Sequence, residues 1–407
     1  MSSSETWGPT QRAVVSASFL GWTLDAFDFF MMIMVLRRIS SDFGTDITSV
    51  TWAIFFTLAM RPIGALLFGR LADHYGRRPA LMASVLLYSV MEFASAFAPS
   101  LSVFIALRAL FGIGMGGVWG VGAALAFEST PARSRGLVSG ILQVGYSAGY
   151  LLAAVAFGLL VDRIGWRGMF MVGTTPALLV LFIRSKVPES PVWRDTRGGA
   201  PAQSLRAGLR GHWLLAVYAV VLMTVFNFFS HGTQDLYPTF LGTQRGFSTA
   251  AIARIAIIYN IGGICGGLFF GTLSGRIGRR RAIALAACLA LPAVAFWGYS
   301  QGGAAVAAAA FVMQFMVQGA WGVVPVHLNE LAPAGIRATF PGVVYQLGNL
   351  LAASNATLQS VIAVHHGSAL QPDYAYSLTR VCAVVAITLF LLVLFGPERR
   401  DVRFDRR

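Results

Sequence analysis

Several ionisable side chains stand inside stretches of sequence that are otherwise strongly apolar. Asp25 and Asp28 lie three residues apart in the first stretch, and Arg61 lies near the middle of the second. A charged side chain in hydrocarbon is costly unless it is paired or faces water, so such residues mark functional sites. An arginine can receive a carboxylate through two parallel hydrogen bonds, and an acid can carry a proton. The predicted chemistry is therefore anion binding and proton transfer.

The seventh apolar stretch carries a polar stripe. Asn227, His231 and Asp235 recur at four-residue spacing, with Ser230 and Gln234 one position aside, so all five share one helical face. Such a face must meet another polar surface or a water-filled cavity. The eleventh stretch supplies a second polar group, which consists of Tyr345, Gln346 and Asn349. We predict substrate binding by these residues with Arg61, and proton coupling by His231 and Asp235 or by Asp25 and Asp28.

The composition indicates which solvent surrounds these stretches. The 407 residues are 56% hydrophobic and 12% charged, against about 25% charged in an average soluble domain. An apolar span of about 20 residues crosses a bilayer, and the sequence contains many. The net charge of +14 gathers in alternate loops, which is the positive-inside pattern and requires no nucleic acid. We expect a bacterial inner-membrane protein, embedded in lipid and monomeric, with both termini cytoplasmic.

The hydrophobic pattern predicts an all-α polytopic membrane protein with twelve transmembrane helices in two six-helix bundles. The predicted organisation is an N-terminal bundle (1–186), a cytoplasmic linker (187–210) and a C-terminal bundle with a short basic tail (211–407). The predicted spans are 13–36, 48–71, 79–99, 101–126, 136–160, 166–186, 211–240, 248–275, 281–300, 303–328, 338–364 and 375–396.

An internal repeat with an offset of 202 residues relates the two bundles. Trp119-Gly120 returns as Trp321-Gly322, and the loop that runs from Gly69 to Arg78 returns as the loop from Gly271 to Arg280. The acidic and basic residues Glu128 and Arg135 return as Glu330 and Arg337. Several matches at one offset indicate duplication, and an even number of spans per copy gives both halves the same orientation in the membrane.

The loop Gly69-x-x-x-Asp73-x-x-Gly76-Arg77-Arg78 resembles the signature of the major facilitator superfamily. The resemblance implies that this loop helps to hold the cytoplasmic side shut through ion pairs across helix ends. The residues to which it assigns this gate are Asp73, Arg77, Glu128, Arg135, Glu330 and Arg337. In the second copy Gly275 replaces the acid, so we expect an asymmetric latch.

The segment from Asn227 to Thr239, with Ser230-His231 and Gln234-Asp235 inside it, closely resembles the signature of the fungal lactate–pyruvate permeases. These belong to the sialate–proton symporter family, and the resemblance covers most of the chain. It implies roles in substrate or proton handling for Arg61, Asn227, His231, Gln234, Asp235, Gln346 and Asn349. Ala148 stands where the family has a bulkier aromatic residue, which leaves the preferred acid open.

Structural alternatives remain open at this point for several of these residues. Asp25 or Asp28 paired with Arg61 would form a static bridge between helices. Independently of that bridge, the structural alternatives are that His231 is a packing residue, Arg108 a structural or gating residue, and Glu92 a structural residue. The glycine string from Gly112 to Gly117 predicts close helix packing rather than a dinucleotide site, since no strand precedes it. The sequence shows no metal cluster and no catalytic triad, so neither an enzyme nor a cofactor other than the proton gradient is expected.

A negative substrate that enters against an inside-negative potential costs about 2.3 kcal/mol per 100 mV. An accompanying proton removes that cost. With Asp25, Asp28 and Asp235 ionised and Arg61 the single fixed cation, a cavity would carry a formal charge of −2 and repel a carboxylate. The sequence therefore predicts proton-coupled uptake of lactate-type monocarboxylates by alternating access. The alternatives are a symporter of sialic or other sugar acids and, more remotely, a proton-coupled exporter.

Overall fold

The structure, a computed structural model, describes residues 7–196, 205–368, 370–399 and 402. This part of the chain is helical and contains no strand. The first eight helices are α1 (Pro9–Asp42), α2 (Ile47–Tyr75), α3 (Arg77–Ala96), α4 (Leu101–Ser129), α5 (Arg135–Val172), α6 (Pro176–Lys186), α7 (Pro191–Thr196) and α8 (Leu205–Leu209). The remaining eight are α9 (Trp213–Gln234), α10 (Tyr237–Thr243), α11 (Thr249–Ile277), α12 (Arg279–Tyr299), α13 (Gly303–Leu331), α14 (Thr339–Ala352), α15 (Asn355–His366) and α16 (Tyr374–Phe395).

Eleven helical stretches among the described residues are long and apolar enough to cross a membrane. One of them, Ala132–Lys186, has 55 residues, or about 80 Å of helix, far more than a bilayer of about 30 Å requires. The chain bends inside it at Gly165, where φ is 66°. That stretch therefore supplies the fifth and sixth spans, and the twelve-helix prediction is confirmed.

Glycines bring the helices of each half close together, as the sequence predicts. A Cβ atom added to Gly116 on α4 would lie 2.1 Å from the carbonyl oxygen of Arg61 on α2. In the second half, a Cβ on Gly266 of α11 would lie 2.0 Å from the carbonyl oxygen of Phe315 on α13. Any side chain at these positions would force the backbones apart. Gly116 therefore fixes the position of Arg61 relative to α4.

Both termini of the described bundle lie at one end, which we call the terminal face; the opposite end is the far face. On the terminal face α2 turns into α3 at Gly76 (φ 113°), and α11 turns into α12 at Gly278 (φ 103°). Residues with a Cβ rarely adopt these angles. Each turn brings the first amide groups of the following helix to a carboxylate: Glu189 accepts from the amide of Arg77 (2.9 Å) and Glu398 from that of Arg279 (2.6 Å).

The predicted linker, 187–210, contains the short helices α7 and α8 in its described part, and residues 197–204 lie outside the described residues. The division into 1–186, 187–210 and 211–407 remains a prediction. On the far face, side-chain oxygens of Ser100, Ser248 and Asp373 accept hydrogen bonds from the first turns of α4, α11 and α16. These caps explain why the helices begin there.

Candidate functional site

A narrow cavity lies between the two halves. The first half lines it with Asp25, Arg61, Gln143 and Tyr146, and the second half with Asn227, Ser230, His231, Gln318 and Asn349. Aromatic rings of Trp22, Phe29, Trp321 and Tyr345 complete the wall. The structure thus brings together most of the residues that the sequence singles out.

Arg61 is the cation of this cavity. Its Nη2 atom donates to Asp25 Oδ2 at 2.7 Å, and the guanidinium lies 5.7 Å from the ring of Phe29. Asp25 is 0% exposed and Arg61 5% exposed. Among the described residues Nη1 has no hydrogen-bond acceptor. The pair is neutral as a whole, and Arg61 keeps a donor with which to receive an anion.

The polar stripe of α9 faces Arg61 from the second half. His231 Nδ1 lies 3.1 Å from Asp235 Oδ1, and His231 Nε2 lies 3.3 Å from Asn349 Oδ1. The side chains of His231 and Asp235 remain 34% and 35% exposed. This triad joins α9 to α14 and is open to water, so it can exchange protons with the cavity.

A network of amides supports that stripe from α13. Gln234 Nε2 lies 3.2 Å from both Ser230 Oγ and Gln314 Oε1, and Gln318 Nε2 lies 3.3 Å from Ser230 Oγ. Gln234 thus contacts the stripe and not the cavity. Gln314 and Gln318 were not among the predicted site residues. Two amide side chains one helical turn apart in an apolar span could have indicated a second polar face.

Gln346 and Tyr345 were also predicted to bind substrate, but only Tyr345 lines the cavity. Gln346 is buried next to the cavity wall, and its Oε1 atom has no hydrogen-bond partner among the described residues. Tyr345 does line the cavity, but its ring centre lies 4.7 Å from that of Trp119 and 5.8 Å from that of Trp321. Trp119 and Trp321 are equivalent positions of the repeat. Tyr345 therefore joins the two halves beneath the cavity.

Asp28 is placed differently from the prediction. Although it is only three residues from Asp25, it does not line the cavity and instead points into the first half, where it is 0% exposed. A three-residue step rotates a side chain by about 60° around a helix, which is enough to move it behind the wall. Asp235 is not a lining residue either, although its partner His231 is, so the wall of the cavity contains two fewer acids than the sequence suggested. Glu92 and Arg108 also lie away from the cavity, paired with each other at 2.5 Å.

The predicted gate residues gather at the terminal face. Arg77 donates two hydrogen bonds to the carboxylate of Glu128, of 3.0 and 2.9 Å. Arg279 donates two of 2.9 Å to the carboxylate of Glu330. Arg77 also lies 3.3 Å from Asp73. Arg279, Glu189 and Glu398 were missing from the predicted gate. The repeat pointed to Arg279, but nothing in the spacing pointed to the two glutamates, which come from distant helix ends.

Asp73 connects the two halves. Its carboxylate accepts from the amides of Ala338 (3.0 Å) and Thr339 (3.2 Å) and from the Thr339 hydroxyl (2.6 Å) at the start of α14. A carboxylate is favoured at a helix N-terminus. Arg135 donates to the carbonyl oxygens of Phe127 and Val402, and Arg337 is buried at the turn before α14. The terminal face is closed in this structure.

The profile of the Major Facilitator Superfamily matches residues 17–356. The chain belongs to this superfamily. The superposition with the proton:xylose symporter XylE bound to 6-bromo-6-deoxy-D-glucose has a TM-score of 0.78 and covers 97% of this chain and 98% of that one, at 19% identity. The shared architecture confirms the fold.

Two transporters from other organisms resemble the chain in sequence. A carboxylic acid transporter protein homolog of Saccharomyces cerevisiae is 29% identical over 94% of this chain and 67% of that protein. The sialic acid transporter NanX of Escherichia coli is 29% identical over 95% of this chain and 94% of that protein. Both agree with the resemblance found in the sequence. The protein is a multi-pass membrane transporter of small molecules and not an enzyme.

Proposed function

We propose that the protein takes up lactate, pyruvate and similar short monocarboxylates together with protons, by alternating access. The observation that carries this proposal concerns Arg61 at the cavity wall. Its Nη2 atom donates to Asp25 at 2.7 Å, and its Nη1 atom has no acceptor among the described residues. Because Asp25 balances the charge of Arg61, the empty cavity is not strongly positive. An anion is therefore bound less tightly than it would be by an unpaired arginine. The anion can then leave again when the protein opens to the other side.

The second half can recognise the rest of such a substrate. Asn227 Nδ2 donates to the carbonyl oxygen of Met223 at 2.8 Å, so its Oδ1 atom is available to accept from the 2-hydroxyl group of lactate. Ser230 and Gln318 offer groups to a 2-oxo oxygen. With about 1.5 kcal/mol per heavy atom as the ceiling, a six-atom substrate is expected to bind with micromolar to millimolar affinity.

His231 and Asp235 supply a route for the proton. They lie 3.1 Å apart, His231 lines the cavity, and Asn349 orients the other ring nitrogen of His231. A proton can pass between two groups at this distance. One proton that enters with one monocarboxylate makes the step electroneutral and removes the cost of about 2.3 kcal/mol per 100 mV.

The proposal includes an orientation and a location. We place the terminal face, with the gate of Asp73, Arg77 and Glu128, in the cytoplasm of a bacterium, and the protein in its inner membrane as a monomer. The bundle formed by 1–186 then rocks against the bundle formed by 211–407, joined by 187–210. Opening toward the cytoplasm must break the three hydrogen bonds of Asp73 to α14.

Uptake of radiolabelled lactate into proteoliposomes tests the function. With an acidic exterior the internal lactate concentration should rise above the external one, and it should only equilibrate when the pH values are equal. A proton ionophore should abolish the accumulation. Equal accumulation with and without the pH gradient would refute proton coupling, and the absence of saturable lactate uptake would refute the substrate.

A sugar acid is the second candidate, and it is favoured by the similarity to NanX over 95% of this chain. Competition against labelled lactate separates the two. Excess pyruvate or propionate should displace lactate if the cavity is built for short acids, whereas sialic acid should not. Displacement by sialic acid alone would transfer the assignment to sugar acids.

A further inference from the structure

A second cluster of charged side chains lies outside the cavity, within the first half. Asp28 on α1, Glu92 on α3 and Arg108 on α4 are each 0% exposed, and none of them lines the cavity. Arg108 Nη2 donates to Glu92 Oε2 at 2.5 Å. The guanidinium of Arg108 also lies 3.9 Å from the ring centre of Phe111 and 5.0 Å from that of Phe170. Apolar rings thus separate this cluster from water.

The two acids approach each other around Gly173. A Cβ atom added to Gly173 would lie 2.9 Å from Glu92 Oε1 and 3.0 Å from Asp28 Oδ1, so these oxygens are at most about 6 Å apart. Both Asp28 oxygens and Glu92 Oε1 lack a hydrogen-bond partner among the described residues. Arg108 donates a hydrogen bond to Glu92, whereas no described side chain donates one to Asp28.

The charges around the cluster do not balance. Asp28 and Glu92 face a single cation, Arg108, and the nearest other charges, Asp25 and Arg61, already neutralise each other at 2.7 Å. Tyr88 of α3 is the other titratable group next to the acids, and its hydroxyl has no partner in the described structure. A buried net charge costs several kcal/mol even after relaxation. One added proton removes it.

We propose that Asp28 and Glu92 form a second proton-binding site, in which Glu92 is ionised against Arg108 and the proton is on Asp28. No acid or arginine occupies the corresponding positions of the second half, where the repeat has Ser230, Val294 and Ala310. The site therefore belongs to the first half alone. Its part in transport rests on the proposed proton coupling, whereas the presence of the proton does not depend on which substrate is carried.

Asp28 and Asp25 share one turn of α1, which connects the site to the cavity. Movement of α1 when Arg61 takes up an anion would also move Asp28 relative to Glu92 and Arg108. Release of the proton would leave a net negative charge within apolar surroundings, so release requires that water reach the cluster. We therefore infer that the proton leaves only when the helices of the first half rearrange.

Infrared spectroscopy of the purified protein at neutral pH tests the site directly. A protonated carboxylic acid has a C=O stretching band that a carboxylate lacks and that shifts in D₂O. The wild type should show this band. Asp28→Asn should remove it, because the amide replaces the protonated acid. Glu92→Gln should also remove it, because Arg108 is then free to pair with Asp28 and holds it ionised.

Asp25→Asn is the matched control, since it removes another fully buried acid of α1, one that has an arginine, Arg61, at 2.7 Å. This variant should keep the band. A band that persists in both Asp28→Asn and Glu92→Gln would overturn the proposal, as would one lost in Asp25→Asn alone. The infrared bands and lactate accumulation are separate measurements. If the bands change as expected but the protein does not accumulate lactate, the proposed substrate is refuted and the proton site stands.

Discussion

The two halves of the transporter share one backbone design but differ in charge. At positions 202 residues apart, Asp25 corresponds to Asn227, Asp28 to Ser230, and Arg61 to Gly263. The first half faces the cavity with an ion pair. The second half faces it with amides, hydroxyls and the imidazole of His231, which lies 3.1 Å from Asp235. Duplication preserved the helices and the glycine contacts, whereas the chemistry diverged.

This division suits a carrier that must bind an anion and release it. Under the proposed function, the arginine on one wall attracts the carboxylate. Neutral groups on the opposite wall then orient it with hydrogen bonds that are individually weak. Net hydrogen bonds between neutral groups contribute about 0.5–1.5 kcal/mol each, and those to charged groups about twice as much. The first half then holds the substrate, and the second half selects it.

The largest effect is expected from Arg61→Ala, which removes the charge that distinguishes the first half. Loss of one partner of a desolvated ion pair costs about 2–5 kcal/mol, so lactate binding should weaken by about 30-fold to several thousandfold. Arg61→Lys should recover little, because an ammonium group lacks the planar fork. Isothermal calorimetry or counterflow on purified protein measures the effect.

Arg61→Ala also leaves Asp25 buried without its cation, so a matched double variant is needed. Arg61→Ala with Asp25→Asn removes both charges of the pair together. If Arg61 binds the substrate directly, the double variant should remain unable to bind lactate. Recovery of near-normal affinity in the double variant would show that Arg61 only balances Asp25.

The next prediction concerns His231 and Asp235, the ionisable pair on the polar stripe of α9. Asp235→Asn removes the carboxylate that lies 3.1 Å from His231. A pH gradient should then no longer drive lactate accumulation, whereas exchange of labelled for unlabelled lactate should continue, because exchange requires no net proton release. Proteoliposome uptake and counterflow measure the two activities.

The alternative carriers, Asp25 and Asp28, serve as comparison variants for this prediction. If Asp235 is the coupling acid at the cavity, Asp25→Asn should disturb substrate binding as well as accumulation, since Asp25 holds Arg61. Gradient-driven accumulation that survives in Asp235→Asn would place the coupling proton in the first half.

Much of this architecture could be predicted because hydrocarbon imposes strong rules on sequence. Apolar spans of the required length, arginine-rich loops on one side and a fixed repeat offset together specify twelve helices. The stripe of Asn227, His231 and Asp235 could be read because a four-residue period places residues on one helical face. Contacts between distant helices have no such period. The pairing of Glu92 with Arg108 and the capping by Glu189 depend on packing, and only the structure shows them.

Asn227→Asp is expected to have an intermediate effect, since it gives the second half the acid that the first half has at Asp25. Gly263 stands where the repeat would need an arginine partner. The introduced carboxylate would repel the substrate, and lactate binding at neutral pH should weaken about tenfold, or about 1.4 kcal/mol. Affinity should recover as the pH falls and the new acid is protonated.

Asn227→Ala is the control for that substitution. It removes the amide without adding charge, so any loss of affinity should not depend on pH beyond the dependence of the wild type. Binding assays over a range of pH values compare the two variants. The same pH profile in both would mean that the charge of this wall does not matter to the substrate.

The smallest effect is expected at the gate, where Gly275 of the second half replaces Asp73 of the first. Asp73 caps α14 of the opposite half, and the corresponding helix start in the first half is at Gly136 and Leu137. A Cβ atom on Gly136 would lie 3.2 Å from the amide nitrogen of Gly275, and one on Gly275 would meet only Arg133 O, at 3.9 Å. Gly275→Asp therefore has room to place a carboxylate at the start of α5.

Such a cap is worth about 0.5–2 kcal/mol and would act only while the terminal face is closed. Gly275→Asp should therefore slow net lactate uptake by about fivefold, which corresponds to about 1 kcal/mol, with little change in binding from the far face. Gly275→Ala controls for the loss of glycine and should leave the uptake rate nearly unchanged, while Asp73→Asn should favour the open terminal face. The fraction of open molecules can be measured from spin-label distances across that face. Equal open fractions in Gly275→Asp and Gly275→Ala would mean that the asymmetry of the latch has no energetic role.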